Sequence, residues 1–317
     1  MRFGTIGTGN ITRQWIAASA LGNLELAAVY SRYQEKGEKF ASEYGDVRVY
    51  TDLEAFLSDT QIEVVYIASP NHLHFDQARR ALLHGKHVIV EKPFVPTLNE
   101  CKTLMALALE KGCMLFEAVP NVFQPALRTI QENLPKLGKL CLVTCHLTQY
   151  SSRYDAFLKG EVPNVFNPRM AGGALMDLGV YEIHFMCALF GKPEKIQYHP
   201  NLAANGIDVS GILNLSYPSF QASLVVGKDC HSENFCLIEG DEGYLKVDGS
   251  VSLLPEIILT GKTILTSPLV NPLNEEAKAI GQCLEEKRVD WMRRWWEATW
   301  TVTEVLEEAR RSGNLPF

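Results

Sequence analysis

Short apolar runs separated by amphipathic segments occupy the first 118 residues. Several of the segments between the runs carry apolar residues at helical spacing, and Gly85 and Gly112 stand where helix C-caps belong. Strands that alternate with helices predict right-handed βαβ units and a parallel sheet covered on both faces. The predicted strands are 2–7, 24–31, 47–50, 62–69, 87–91 and 113–118, and the predicted helices include 10–21, 74–85 and 98–112.

The pattern changes after about residue 140, where strand-like runs follow one another without crossover helices. The segments GDEG and DGS are hairpin signals, which favours an antiparallel sheet. We therefore predict a doubly wound α/β domain over 1–119 and an α+β domain over 120–317, built on a large, open, mostly antiparallel sheet. For the last helix two positions stay open, one within the second domain and one packed against the first domain. The predicted strands are 139–151, 194–200, 208–218, 220–227, 233–250 and 256–266, and the predicted helices are 173–191, 274–288 and 290–312.

Composition narrows the class of protein. The 317 residues are 46% hydrophobic and 21% charged, as in ordinary globular proteins. A net charge of −7 argues against nucleic acid or an anionic membrane as the main partner. No apolar run approaches the roughly 20 residues of a membrane helix, and no signal-peptide pattern is present. Eight scattered cysteines without a CxxC pair favour a reducing compartment, so we expect a cytoplasmic protein.

A glycine turn follows the first strand. Gly7 and Gly9 permit a tight turn, and the helix that begins at Asn10 and Ile11 would offer backbone N–H groups to a pyrophosphate. These features are typical of the dinucleotide-binding Rossmann fold. Thr12 replaces the third glycine of GxGxxG, so the motif alone is weak, and its place in a βαβ unit strengthens it.

The tip of the second strand indicates which dinucleotide is bound. Ser31 and Arg32 stand where NAD-binding proteins usually carry an acidic residue for the ribose 2′-hydroxyl. A hydroxyl and a guanidinium suit a 2′-phosphate, because arginine pairs with phosphate in a bidentate manner. We predict NADP(H) as the preferred cofactor and NAD(H) as an alternative; an ordinary surface arginine is the competing interpretation.

Two further loops should line the same edge of the sheet. Ligands of doubly wound sheets lie beyond the carboxyl ends of the strands, so the loops after the fourth and fifth strands should be neighbours. An unpaired buried ammonium is costly, so Lys92 either is neutralised by Glu91 or faces a ligand. His72 and His74 could be taken for metal ligands, but a histidine bonded to backbone groups is the better interpretation, and we predict no metal site. The predicted cofactor contacts here are Ala68, Ser69, Pro70, Asn71, His74, Glu91 and Lys92.

The segment 172–191, GGALMDLGVYEIHFMCALFG, places polar side chains on one helical face. Asp177 and Tyr181 are four residues apart, and His184 follows one turn later. Gly179 costs a helix about 1 kcal/mol relative to alanine, which indicates a close backbone approach. A tyrosine becomes a usable acid/base when an ammonium favours its phenolate. We predict that Tyr181 and Lys92 carry proton transfer and that Asp177 orients substrate hydroxyls or keeps the lysine charged; a solvated polar stripe is the alternative.

These motifs resemble the glucose–fructose oxidoreductase and inositol dehydrogenase (Gfo/Idh/MocA) family of NAD(P)-dependent oxidoreductases. The resemblance runs through GTIGTGNIT, SPNHLHFDQARRALLHGKHVIVEKP and GGALMDLGVYEIH. It implies that Lys92 lies at the nicotinamide and substrate, with a peptide bond to Pro93 that is often cis. Tyr181 stands where many members have histidine. This resembles the branch of dihydrodiol dehydrogenase, D-xylose dehydrogenase and glucose–fructose oxidoreductase, in which that tyrosine is the acid/base.

The resemblance also sets expectations for activity and assembly. It implies hydride transfer between the cofactor and a secondary alcohol of a sugar, polyol or trans-diol, and a homodimer or homotetramer formed through the open sheet. The chain departs from the family at Thr12 and lacks the arginine often found in the segment 119–123. Arg169 is a further candidate contact for cofactor or substrate, with a surface salt bridge as the alternative. A non-catalytic NAD(P)-binding sensor or regulatory protein is the second functional hypothesis, and a glycosidase with tightly held NAD is a third.

Overall fold

The computed structural model of the chain describes residues 1–268 and 270–315. The chain forms two compact units, Met1–Val119 with Asn271–Trp300 and Pro120–Val270 with Thr301–Phe317. Residues 271–300 belong to the first compact unit, although the predicted second domain included them, with packing against the first domain left open for the last helix.

A six-stranded parallel sheet forms the centre of the first unit. Its strand order is β3-β2-β1-β4-β5-β6, and all its neighbouring strands are parallel. This is the order of doubly wound dinucleotide-binding sheets, whose ligands lie where the order reverses, between β1 and β4. The strands are β1 Arg2–Ile6, β2 Glu25–Tyr30, β3 Arg48–Tyr50, β4 Val64–Ile67, β5 His87–Glu91 and β6 Leu115–Ala118.

Helices cover this sheet, so β4 is buried along its whole length, as its uninterrupted apolar sequence predicts. Helix α5 begins with a capping box between Thr97 and Glu100 and ends at Gly112, whose φ of 64° is left-handed. The helices of the first unit are α1 Asn10–Ser19, α2 Gln34–Ala41, α3 Leu53–Ser58, α4 His74–Leu83, α5 Leu98–Lys111, α9 Asn274–Glu285 and the first part of α10 Val289–Ser312.

An eight-stranded sheet forms the second unit. Its order is β14-β13-β12-β11-β7-β10-β9-β8, and the β7–β10 pair is parallel while the other neighbours are antiparallel. The predicted fold class is thus confirmed. The strands are β7 Leu140–Thr148, β8 Lys195–Leu202, β9 Asp208–Ser216, β10 Gln221–Gly227, β11 Phe235–Gly240, β12 Tyr244–Asp248, β13 Glu256–Leu259 and β14 Lys262–Thr266.

The core of this unit lies between one face of the sheet and its helices. Buried side chains of α6, α8 and the last part of α10 pack there against the inward positions of the strands. The helices are α6 Pro125–Asn133, α7 Tyr154–Leu158 and α8 Val180–Phe190.

The expectation that no apolar run approaches the length of a membrane helix needs a correction. Among the described residues, Pro168–Phe190 is long and apolar enough to cross a membrane by length and composition alone. Its most apolar part is 67% buried inside the protein, which is the pattern of a core helix.

Candidate functional site

The turn between β1 and α1 forms a cradle. Gly7 has a φ of +120°, and a Cβ there would lie 2.5 Å from the carbonyl oxygen of Ala68. Gly9 precedes α1, and no described atom lies within 4 Å of the position its Cβ would take. The N–H groups of the first helical turn lack helical acceptors, and no side chain of the described residues caps them. This arrangement fits an anion such as a pyrophosphate.

Thr12 occupies the position of the third glycine and is fully buried. Its hydroxyl oxygen has no hydrogen-bond partner among the described residues. Buried hydroxyl groups are normally paired, so this one is an exception, and because the side chain has no accessible surface it does not enter the open space of the cradle. The departure from GxGxxG therefore leaves the cradle intact.

The tip of β2 is positively charged. The hydroxyl of Ser31 donates to the carbonyl oxygen of Tyr33 at 3.0 Å and accepts from its N–H at 3.3 Å, so it stabilises the turn. Arg32 is exposed, 6.0 Å from the centroid of the Tyr33 ring, and the ammonium of Lys36 lies 5.1 Å from the same ring. Burial, followed by the Arg32 charge, lowers the pKa of His72. Arg32 thus lies near the loop after β4, and sequence reasoning missed Tyr33 and Lys36.

His74 joins the two loops at the carboxyl ends of β4 and β5. Its ring is fully buried, with Nε2 2.9 Å from the carbonyl oxygen of Ser69 and Nδ1 3.0 Å from that of Pro93. Burial lowers the pKa of His74, although the backbone carbonyls oppose this effect. The geometry favours a histidine bonded to backbone groups, and we attribute to it the positioning of the loops.

The loop residues predicted from sequence are accessible to different degrees. Ala68, Ser69, Pro70 and Asn71 are half-buried. Lys92 is also half-buried, and its backbone N–H donates to the carbonyl oxygen of Ala118 at 3.1 Å. The bond between Lys92 and Pro93 is cis, as the family resemblance implied.

A cluster of buried carboxyl groups lies next to Lys92. The hydroxyl of Tyr66 donates to Glu91 at 2.5 Å. Burial raises the pKa of Glu91 to about 7, although the Tyr66 bond and the Lys92 charge oppose it. Glu117 accepts a hydrogen bond from Thr299 at 2.8 Å. Burial, followed by the charge of Glu91, raises the pKa of Glu276. Among the described residues, no group of three His, Cys, Asp or Glu side chains could hold a metal ion.

In the second unit, Asp177 lies in a π-helical turn, Leu175–Gly179, that leads directly into α8. Such turns occur frequently at functional sites. A Cβ on Gly179 would lie 3.0 Å from the Leu175 side chain and 3.4 Å from that of Val226 in β10. The close backbone approach predicted from Gly179 is therefore confirmed.

The start of this helical segment is held by a buried aspartate. The N–H of Leu175 donates to Asp208 at 2.8 Å, and the hydroxyl of Tyr198 donates to the same oxygen at 2.9 Å. Gly173 has a φ of +107°, and a Cβ there would stand 1.8 Å from the other oxygen of Asp208. Burial raises the pKa of Asp208 to about 6.

Tyr181 is half-buried in the first turn of α8. Its backbone carbonyl accepts a hydrogen bond from the side chain of Asn121 at 3.0 Å, and Asn121 is 1% exposed. His184 is buried rather than solvated, which excludes a polar surface stripe over the three residues. Asn121 stands in the segment that lacks the family's arginine, and sequence reasoning did not give it a role.

Lys228, immediately after β10, is another residue that sequence reasoning missed. Its ammonium forms an ion pair with a carboxylate oxygen of Asp177, although the lysine is only 4% exposed. Arg169, by contrast, is exposed in a short turn, and its side chain forms no ion pair with the described residues. The alternative of a surface salt bridge thus finds no support.

Comparison with known proteins gives the family. The family model described as "Oxidoreductase family, NAD-binding Rossmann fold" matches residues 1–119, and the GFO/IDH/MocA C-terminal domain matches residues 128–246. The scyllo-inositol 2-dehydrogenase (NADP(+)) IolU of Bacillus subtilis is 32% identical, covering 100% of this chain and 98% of that protein. The trans-1,2-dihydrobenzene-1,2-diol dehydrogenase of Mus musculus is 26% identical, with the same coverage.

A solved structure agrees in fold. The 3-ketoreductase KijD10 from Actinomadura kijaniata, in complex with NADP and TDP-benzene, superimposes with a TM-score of 0.85 at 21% identity, covering 98% of this chain and 97% of that one. The predicted resemblance is thus confirmed by both domains and by relatives aligned over their full length. The chain belongs to the GFO/IDH/MocA family of NAD(P)-dependent oxidoreductases.

Proposed function

We propose that this protein interconverts a secondary alcohol and a ketone on a sugar, polyol or trans-diol, with NADP(H) as the preferred cofactor. The observation that carries the proposal is that the two candidate catalytic side chains, those of Lys92 and Tyr181, are both half-buried, one at the end of a strand and one at the start of a helix. Lys92 directly follows β5, and Tyr181 lies in the first turn of α8 with its backbone carbonyl held by Asn121. The names of two relatives, an inositol dehydrogenase and a trans-diol dehydrogenase, support this class of substrate.

In this proposal, residues 1–119 bind the cofactor. Gly7, Gly9 and the N–H groups of Asn10 and Ile11 hold the pyrophosphate, because the turn leaves open space at a helix N-terminus. Arg32, with Lys36 beside it, pairs with the 2′-phosphate. The loops 68–71 and 91–92 contact the nicotinamide half. The bound cofactor supplies or accepts the hydride.

The second unit in this proposal binds the substrate. The phenolate of Tyr181 takes the proton from the substrate alcohol during oxidation, and the phenol returns it to the ketone during reduction. The ammonium of Lys92 favours the phenolate form of the tyrosine. Asp177 accepts a hydrogen bond from a substrate hydroxyl and so orients the reacting carbon. Arg169 is exposed and remains available to the cofactor or substrate.

The open face of the large sheet supports an assembly of identical chains. Leu142 on β7 and Ile212 on β9 are 52% and 43% exposed, respectively. Exposed apolar side chains on a sheet are commonly covered by a partner. We therefore propose that the protein forms a homodimer or homotetramer. We also propose that it is located in the cytoplasm.

A fluorescence titration with NADPH and NADH, followed by turnover assays with NADP⁺, tests the function. The assay panel is scyllo-inositol, several aldoses and trans-1,2-dihydrobenzene-1,2-diol. We expect tighter binding of NADPH than of NADH and turnover of at least one panel member. Binding without turnover on the whole panel would contradict the enzymatic proposal and favour a sensor.

A further inference from the structure

The ion pair between Lys228 and Asp177 joins a buried cation to an accessible anion. The Lys228 side chain is 5% exposed, whereas that of Asp177 is 36% exposed. A surface pair of two mobile side chains contributes little to stability, and its members change partners easily. Here one member is fixed inside the second unit and the other is partly exposed. The ion pair therefore keeps the partly exposed carboxylate of Asp177 in a fixed position.

The backbone around Lys228 is fixed on both sides. Its N–H donates to the carbonyl oxygen of Val209 at 2.8 Å, and its carbonyl accepts from the N–H of Ser151 at 2.9 Å. These bonds connect the end of β10 to β9 and to the segment after β7. A buried ammonium is costly unless it is paired, so Asp177 provides the compensating charge.

The neighbouring acid has a different partner. Asp229 follows Lys228 directly, but one of its oxygens accepts a hydrogen bond from the hydroxyl of Ser210 at 3.2 Å. The ion pair of Lys228 goes instead to Asp177, 51 residues earlier in the sequence. Asp177 itself sits in the π-helical turn, whose start is held by Asp208. Both ends of the Asp177–Lys228 pair are thus fixed by separate elements.

Charge and spacing together suggest what the carboxylate binds. An ionised carboxylate only accepts hydrogen bonds, and its two oxygens have about four acceptor positions, so it can hold Lys228 and a hydroxyl group together. Asp177 in the π-helical turn and Tyr181 in the first turn of α8 are four residues apart, so their side chains are neighbours along one helical segment. This spacing suits two hydroxyl groups on adjacent carbons.

We propose that Lys228 is a positioning residue that holds Asp177 ionised and in one orientation, so that the site selects substrates with a hydroxyl next to the reacting carbon. This inference rests on the proposed function. Tyr181 takes the proton of the reacting hydroxyl, and Asp177 accepts a hydrogen bond from the neighbouring one. Without the lysine, the carboxylate loses its fixed position, and the second hydroxyl is bound less tightly.

The test compares a vicinal diol with a matched alcohol in the wild type, two variants of Lys228 and one control variant. Wild type, Lys228→Met and Lys228→Arg are assayed with trans-cyclohexane-1,2-diol and cyclohexanol, using NADP⁺. Lys246→Met is the control, because Lys246 forms a half-exposed ion pair with Asp248 in the same unit. A titration with NADPH and a circular dichroism spectrum verify that each variant is folded.

We expect Lys228→Met to raise the KM for the diol by about 10- to 100-fold, the loss of one hydrogen bond to a charged group, with kcat changed far less. The KM for cyclohexanol should change little, so the preference for the diol disappears. Lys228→Arg should restore much of this preference, and Lys246→Met should match the wild type.

Two results would overturn the inference. One is a Lys228→Met variant with the wild-type preference for the diol, and the other is a loss of equal size with both substrates. If Lys228→Met does not fold, Lys228→Arg decides: it must keep the preference for the diol, and a fall to equal use of both substrates would contradict a charge-based role. A wild type inactive on every alcohol would count against the proposed function, whereas an active wild type with unaffected Lys228 variants would count against Lys228 alone.

Discussion

Glu91 offers a quantitative test of the cofactor half, because the structure gives its carboxyl group a pKa of about 7. Burial causes most of the shift, and the nearby charge of Glu117 adds to it. The Tyr66 hydroxyl, the backbone N–H of Lys92 and the Lys92 charge oppose it. Glu276 is a further acid that interacts with this group. The ordinary pKa of 4.5 applies to the unfolded chain, so the folded state binds the proton more tightly.

The sign of the pH dependence follows from this difference. Between pH 4.5 and 7 the unfolded state releases the Glu91 proton while the folded state keeps it, so stability falls as the pH rises. Each pH unit between the pKa values of the unfolded and folded states changes the free energy of unfolding by about 1.4 kcal/mol, so above pH 7 the ionised Glu91 lowers it by about 3 kcal/mol. Glu91→Gln removes the charge and keeps an acceptor oxygen for Tyr66. The variant should therefore gain stability relative to wild type as the pH rises.

Urea unfolding at pH 5 and pH 8, followed by tryptophan fluorescence, measures the effect. All five tryptophans lie in the first unit, so the signal reports on the part that contains Glu91. We subtract the free energy of unfolding of the wild type from that of Glu91→Gln at each pH. This difference should be about 2–3 kcal/mol more positive at pH 8 than at pH 5. Glu25→Gln, at an exposed position of β2, should show no such change. An equal difference at both pH values would refute the reasoning.

Two further predictions concern the cofactor edge and the helix start. Arg32→Gln should weaken NADPH binding by about 10-fold or more and leave NADH binding nearly unchanged, because only NADPH carries the 2′-phosphate. A fluorescence titration measures both affinities, and Arg294→Gln, at an exposed position, is the control. Equal losses for both cofactors, or a similar effect of Arg294→Gln, would contradict the prediction. Gly173→Ala should lower the free energy of unfolding by at least about 2 kcal/mol, because its Cβ would overlap Asp208. Gly160 also has a positive φ, but no described atom lies within 4 Å of the position its Cβ would take. Thermal unfolding should therefore show a smaller loss of stability for Gly160→Ala. Similar losses in the two variants would show that backbone strain alone matters.

Local patterns were sufficient to predict the six parallel strands and the cofactor-edge motifs. Each strand is a short apolar run, and the alternation of strands with helices predicts that they are parallel, whereas the strand order comes from the structure. The helices at 34–41 and 53–58 were missed because each is at most eight residues long, too short for a clear helical period. The parallel pairing of β7 with β10 was also missed, because it joins strands that other elements separate in the sequence.

The candidate-site residues named from the sequence are adjacent in the chain, and those that sequence reasoning missed are brought in by tertiary contacts. Lys92 follows its strand directly, and Asp177 and Tyr181 share one helical segment. Lys228 reaches Asp177 across 51 residues, and Glu276 looks like an ordinary acid in the first turn of a helix. No local signal distinguishes such residues from surface charges, so only the folded chain identifies them.

The central claim is that Tyr181 transfers the proton in an NADP(H)-dependent reaction. The most direct measurement is the pre-steady-state rate of NADPH formation by wild type and Tyr181→Phe with the best substrate of the panel, alongside the NADPH dissociation constant of each. We predict a rate at least about 100-fold lower in the variant, the usual contribution of a general acid/base, with a dissociation constant within about 2-fold. A variant that forms NADPH at the wild-type rate would contradict the account.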